Sequence, residues 1–216
     1  MSGVVTVEKL AEAKQLPVEA LHSFGLANFE AGVRFKYRDS RGMPARPRLR
    51  TAMRGADGSQ WDSTSTLPIT TYSPPSGVQI AVDPSEIILV EGESDCWSAW
   101  FHGVAACGIP GPEHWDKIEE GNVVGFETIY IIREPATDDS PTYREGVDAY
   151  IDKLCQRLRT IGFQGPILEL QMPDGLFDLS ELHQADPDQF VTRLQNAKRS
   201  AKLISDSVHK ILPTNG

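Results

Sequence analysis

The sequence predicts an α/β protein: a Rossmann-like parallel sheet flanked by helices, preceded by a small α+β region with a basic hairpin. Two observations predict this and a third divides the chain. Residues 84–216 alternate short continuous apolar runs with amphipathic stretches, as strands covered on both faces and joined by crossover helices do. Residues 1–83 show period-two alternation and turn dipeptides instead. The change falls in a stretch rich in Ser, Thr and Pro, residues 66–84, read as the linker, with Ser73-Pro74-Pro75-Ser76-Gly77 at its loop tip.

Residues 7–24 read as two short helices with Leu10, Ala13, Leu16, Leu21 and Phe24 apolar, and Pro17 opening the second at its first turn. Residues 33–37 alternate as a half-buried strand, and Asp39-Ser40-Arg41-Gly42 is a turn. Residues 46–53 form the returning strand, restricted at its start by Pro44 and Pro47. A second turn at residues 56–59 leads to Gln60-Trp61-Asp62. In the second part, strands are predicted at residues 87–91, 104–107, 128–133 and 166–171. A helix follows the first of these over residues 95–101, with Ser94 as its cap. A long helix over residues 143–161 carries Val147, Tyr150, Ile151, Leu154, Leu158 and Ile161 on one face. A terminal helix spans residues 187–211.

Composition narrows the function classes. No apolar run approaches the ~20 residues needed to span a membrane, and the start lacks a secretory pattern. Three cysteines argue against a disulfide framework and for a reducing cytoplasm. Cys96, His102, Cys107 and His114 lie close in sequence, but no CxxC pair occurs, so the cysteines read as small core residues rather than zinc ligands. The net charge is −9, yet residues 31–60 hold Arg34, Lys36, Arg38, Arg41, Arg46, Arg48, Arg50 and Arg54 against Asp39 and Asp57. Such a surface suits a polymer phosphate backbone, and equally a solvated hairpin.

Ile87-Ile88-Leu89-Val90-Glu91-Gly92 places a carboxylate at the carboxyl end of a buried strand, where open α/β sheets bind ligands. A salt bridge to a neighbouring loop is the alternative. Gly92 permits a tight turn. Asp95 stabilises the helix N-terminus through the dipole or acts behind the first ligands of a metal.

Glu91-Gly92-Glu93-Ser94-Asp95 resembles motif one of the toprim family, the catalytic domain shared by bacterial-type primases, type IA and II topoisomerases and some nucleases. His102 to Gly111 resembles the second strand and glycine-rich turn of primase-like toprim proteins of phages and mobile elements. Thr128 to Pro135 resembles the strand delivering the second acidic motif, with Glu134 in its first position and Ala136 where the second acid usually stands. Phe177-Asp178-Leu179-Ser180-Glu181-Leu182 resembles the third acidic segment, with Phe177 replacing a lysine. Asp138 and Asp139 either substitute for the acid missing at Ala136 or are solvated loop charges. Arg133 either replaces the missing lysine or pairs with a nearby acid.

The resemblance implies metal-dependent nucleotidyl transfer on a nucleic-acid template in the DNA replication of a phage or mobile element. Glu91 would be the catalytic general base or acid. Glu134, Asp178, Asp95 and Asp138 would hold Mg2+ or Mn2+, and Arg34, Lys36, Arg46, Arg48, Arg50 and Arg54 would meet nucleic acid. The implied partners are a single-stranded DNA template, nucleotides and a helicase or zinc-module protein on another chain; no membrane is expected, and the location is cytoplasmic. A toprim phosphodiesterase that nicks nucleic acid, or a non-catalytic binding or assembly module, fits the same residues.

Overall fold

The computed structural model describes residues 4–53, 58–133 and 141–204. Helices α1 (Val7–Lys14) and α2 (Val18–Ser23) lead into strands β1 (Leu26–Phe29), β2 (Gly32–Phe35), β3 (Arg48–Arg50) and β4 (Ser59–Trp61), an antiparallel sheet in order β1-β2-β3-β4. Thr6 caps α1 by accepting from the Lys9 N–H. The alternation in residues 33–37 is realised as written: Val33, Phe35 and Tyr37 are buried, and Arg34 and Lys36 point the other way. Strand β1 was not predicted, because Leu26-Ala27-Asn28-Phe29 is too short to show a period.

The second sheet runs β6-β5-β7-β8-β9, built from β5 (Glu86–Val90), β6 (Ala106–Gly108), β7 (Thr128–Ile132), β8 (Ile167–Leu170) and β9 (Lys202–Leu203). The first four strands are mutually parallel and β9 is antiparallel to β8. Helices α3 (Glu93–Phe101), α4 (Glu120–Val123), α5 (Pro141–Thr160), α6 (Leu179–Ala185) and α7 (Phe190–Arg199) accompany it, with a 3₁₀ turn over Pro112–Lys117. Alternate residues of β5 feed two cores. Ile88 and Val90 join α3, α6, α7 and the N-terminal sheet, whereas Ile87 and Leu89 join α5. The apolar stripe on α5 predicted from spacing is buried through Ile151, Leu154 and Leu158.

Residues 70–72 are buried, and Tyr72 bridges to Gly108 on β6 while donating its hydroxyl toward the Phe24 carbonyl. The segment between the sheets is therefore packed against both. Two local expectations are corrected. Helix α3 begins at Glu93 with Gly92 at its cap, so Ser94 lies in the first turn and its carbonyl accepts from Ser98. The terminal helix ends at Arg199 rather than continuing: Ser200 turns the chain, and Lys202–Leu203 add to the open edge of β8. An unsatisfied sheet edge is a stronger local demand than the helical spacing of Ala201 and Ile204.

Candidate functional site

The order β6-β5-β7 means that the chain leaves β5 to one side and returns on the other, so the ends of β5 and β7 flank the topological switch point. Glu91 follows β5 directly at this point. Its carboxylate reaches solvent and makes no hydrogen bond or ion pair among the described residues. Surrounding protein raises its pKa above the ordinary carboxylate range, and Glu113 from the 3₁₀ turn adds to the shift by repulsion. Gly111 starts that turn at φ 104°, and a Cβ there would lie 2.7 Å from the Glu113 carboxylate.

The neighbouring acids are engaged. Asp95 is 4% exposed and accepts from the Ser180 N–H at 3.0 Å, joining α3 to the start of α6. Its other oxygen leans over Gly92, where a Cβ would approach it to 2.6 Å. That contact, and not an unusual φ, is why glycine follows Glu91. Asp178 caps α6 by accepting from the Glu181 N–H at 2.7 Å, and Glu181 reaches back to the Phe177 N–H at 2.9 Å. Arg133, at the end of β7, pairs with Glu169 at 3.1 Å and with Asp148. The motif-one and third acidic segments thus meet through Asp95 and Ser180. Among the described residues no group of three or more His, Cys, Asp or Glu could hold a metal ion. Glu134 and Asp138, two of the expected ligands, lie outside the described residues, as does Arg54. Cys96, Cys107 and Cys155 are buried and not joined in disulfides.

The basic residues divide between the two faces of the N-terminal sheet. Arg48 stands opposite Phe35, and Arg50 opposite Val33, so both share the face that packs on α3. There Arg48 Nη1 donates to Glu93 Oε1 at 2.8 Å, and the Tyr37 hydroxyl donates to the same oxygen at 2.6 Å. Glu93 is nearly buried, and burial pushes the Tyr37 pKa well up, aided by that carboxylate. Arg50 donates to the carbonyls of Ala52 and Met53 and to Ser59; burial lowers its pKa, against the raising influence of Glu93. Arg46 donates to the Leu67 carbonyl. Arg34 and Lys36 lie on the outer face, Arg34 paired with Asp62 at 3.2 Å.

Glu93 was not singled out from sequence, although an acid in the first helical turn beside Glu91 was a visible signal. Trp61 was also passed over: its ring lies 5.3 Å from the Arg48 guanidinium and 6.1 Å from the ring of His114, beside Glu113. That proximity bridges two sheets and has no sequence signature.

No family model and no curated protein matches the sequence. Solved structures do match in fold. A DnaG primase catalytic domain bound to ssDNA aligns at TM-score 0.66 and 13% identity, covering 91% of this chain and 71% of that one. A DnaG catalytic core aligns at 0.63 and 14%, covering 91% and 72%. The zinc-binding and RNA polymerase domains of Aquifex aeolicus primase align at 0.55 and 14%, covering 93% and 51%. With its parallel-rich sheet and flanking helices, this chain has the toprim fold of primase catalytic domains.

Proposed function

We propose that the chain is a primase-like toprim protein that joins nucleotides on a single-stranded DNA template, in the replication of a phage or mobile element. The observation that carries this reading is Glu91. It is an unengaged carboxylate with a raised pKa at the switch point of a primase-like sheet, whereas Asp95, Asp178 and Glu93 are committed to N–H or guanidinium donors. A carboxyl group whose pKa is raised holds a proton more readily and is suited to moving one at an attacking or leaving oxygen. Tyr37, Arg48 and Glu93 hold the N-terminal sheet against the helix that follows Glu91, and so set the wall facing it.

A hard divalent cation fits oxygen donors of this kind. Glu91 stands beside a repelling Glu113, and Glu134 and Asp138 would complete a set for Mg2+ or Mn2+, with Asp95 and Asp178 bracing the segments behind them. Bound there, the ion would neutralise charge on the phosphorus oxygens. A helicase or zinc-module partner on another chain belongs to the same reading. So does a cytoplasmic location; no helix among the described residues is long and apolar enough to cross a membrane.

Metal titration by calorimetry on the wild type and Glu134→Ala, followed by primer synthesis with Glu91→Gln, tests the proposal. Metal binding lost in the first variant, and a rate reduced by roughly 100-fold or more in the second, are expected. Cleavage of DNA in place of synthesis would assign the same site to a phosphodiesterase. The engagement of Asp95 and Asp178 with backbone N–H donors favours a second reading, a toprim-fold binding module. Millimolar metal failing to bind in the presence of nucleic acid would select it.

A further inference from the structure

We propose that a cavity at the β6 edge of the parallel sheet, distinct from the Glu91 cleft, binds a small carboxylate with an apolar body, an aromatic or branched aliphatic acid. The cavity has a volume of about 330 Å³, within the range of about 300–1,000 Å³ that small-ligand sites occupy. Three segments wall it: the turn after Arg38, the loop tip at residues 73–76, and the start of α4. Ile87 on its floor precedes Glu91 by four residues, about 13 Å along an extended strand, and Glu91 takes no part in the lining.

The floor is apolar and the mouth polar. Ile80, Ile87, Ala105 and Phe126 supply the floor. Cys107 lies beside them, and burial pushes its thiol up, so it meets an occupant as a neutral group. Hydrogen bonds fix the mouth in shape. Ser40 Oγ donates to Glu119 Oε2 at 2.7 Å, and Asn122 Nδ2 donates to Ser73 Oγ at 3.1 Å. A Cβ on Gly121 would come within 2.8 Å of the Ser40 Cβ, so the turn rests directly on α4.

Two donors at the mouth are not consumed. Arg38 gives Nη1 to the Gly42 carbonyl at 2.9 Å and pairs with no carboxylate among the described residues. Its Nε and Nη2 edge remains, and two parallel N–H groups match the two oxygens of a carboxylate. Ser73 Oγ already accepts from Asn122, which leaves its proton for Cys107 Sγ, 3.8 Å away. A thiol is a weak acceptor and a carboxylate oxygen a strong one.

Charge selects among ligands. Asp39 is taken by the Arg41 side chain and by the N–H groups of Arg41 and Met43, so it has little left for an ammonium. Asp39 and Glu119 both stand at the mouth and repel a polyphosphate, whose charges a single arginine does not balance. One negative charge on an apolar body fits one guanidinium above an apolar floor.

The test titrates phenylacetate into the full isotope-labelled chain by NMR, alongside phenylacetamide, which keeps the ring and loses the charge. Saturable shifts of the Ser40, Ser73 and Asn122 amides are expected, with a Kd on the order of 1 mM for a ligand of this size. Phenylacetamide should bind about tenfold more weakly, having lost a charge-assisted pair. Arg38→Gln should bring phenylacetate down to the same level and leave phenylacetamide unchanged, which shows that the cavity is intact. Ser76→Phe, a bulky group at an exposed position of the lining, should block both probes. Lys202→Gln, on β9 at the opposite edge of the sheet, should change neither. Thermal midpoints of the variants report folding. Equal affinity for the two probes, an Arg38→Gln variant that binds phenylacetate as the wild type does, or shifts confined to the surroundings of Glu91 would overturn the proposal. No saturable shift at tens of millimolar phenylacetate would do the same. Displacement of phenylacetate by a single-stranded oligothymidylate would place Arg38 on a nucleic-acid surface and sink it as well.

Discussion

At the residue scale, the turn after β5 is decided by contacts over a few ångströms. The space that a Cβ on residue 92 would take is already used by Asp95, so Gly92→Ala forces that carboxylate off the Ser180 N–H. A loss of roughly 2 kcal/mol is expected in denaturant unfolding, since a buried acceptor loses its geometry. Arg48→Ala has a larger expected effect, about 3 kcal/mol, because the carboxylate of Glu93 is left nearly buried with only the Tyr37 hydroxyl. Arg48 and Glu93 replaced together should lose less than the sum of the single losses, and a double-mutant cycle measures this coupling. The position of Glu91 was legible from residue order alone. Its freedom from partners was not, because that depends on where Glu93, Asp95 and Glu113 go.

At the element scale, α6 shows how an acidic motif doubles as a helix start. Asp178 satisfies the Glu181 N–H, and Glu181 satisfies the Phe177 N–H, both of which would otherwise be unpaired at a helix end. Asp178→Ala is expected to destabilise the protein by about 1 kcal/mol. Asp178→Asn, which keeps an accepting oxygen, should recover most of that in a thermal unfolding series. Sequence reading marked Asp178 for its chemistry and passed over the helix behind it, since seven residues hold too few turns for a 3.6-residue period to show. The long stripe on α5 had no such problem: about four turns of Val, Ile, Leu and Tyr at helical spacing read as one face, and that face is buried through Tyr150, Ile151, Leu154 and Leu158.

At the scale of the whole molecule, a histidine pair ties four helices together. His102 ends α3, His183 belongs to α6, and their ring nitrogens lie 2.9 Å apart. His183 Nε2 is 3.1 Å from the Gln15 carbonyl just past α1, and His102 stacks on Phe190 of α7 at 4.2 Å. One arrangement serves both contacts: His102 Nε2–H donates to His183 Nδ1, and His183 Nε2–H donates to the Gln15 carbonyl. Burial and then the neighbouring ring lower the His102 pKa to about 4. The unfolded state, with an ordinary histidine near 6.5, binds protons first as pH falls. Stability from this group is therefore complete above about pH 6.5 and is lost progressively toward pH 4. Allowing for its partial exposure, roughly 1 kcal/mol should be missing at pH 5 relative to pH 7. Urea midpoints at the two pH values should differ less in His102→Gln than in the wild type.

What the sequence determined by itself was the class of the second sheet and the places of its parallel strands along the chain, the long helix, and the carboxylate at the end of the first strand. Each rests on a local signal, namely continuous apolar runs, helical spacing, and an acid followed by glycine. Tertiary structure alone decided which acids remain free, that the basic residues divide between two faces, and that the last helix stops for a sheet edge. Those outcomes depend on which side chains meet across tens of residues, as Arg48 meets Glu93 and Asp95 meets Ser180. A carboxylate or guanidinium brought into the interior must find its partner there, and that partner is set by the packing of whole elements rather than by the neighbouring sequence.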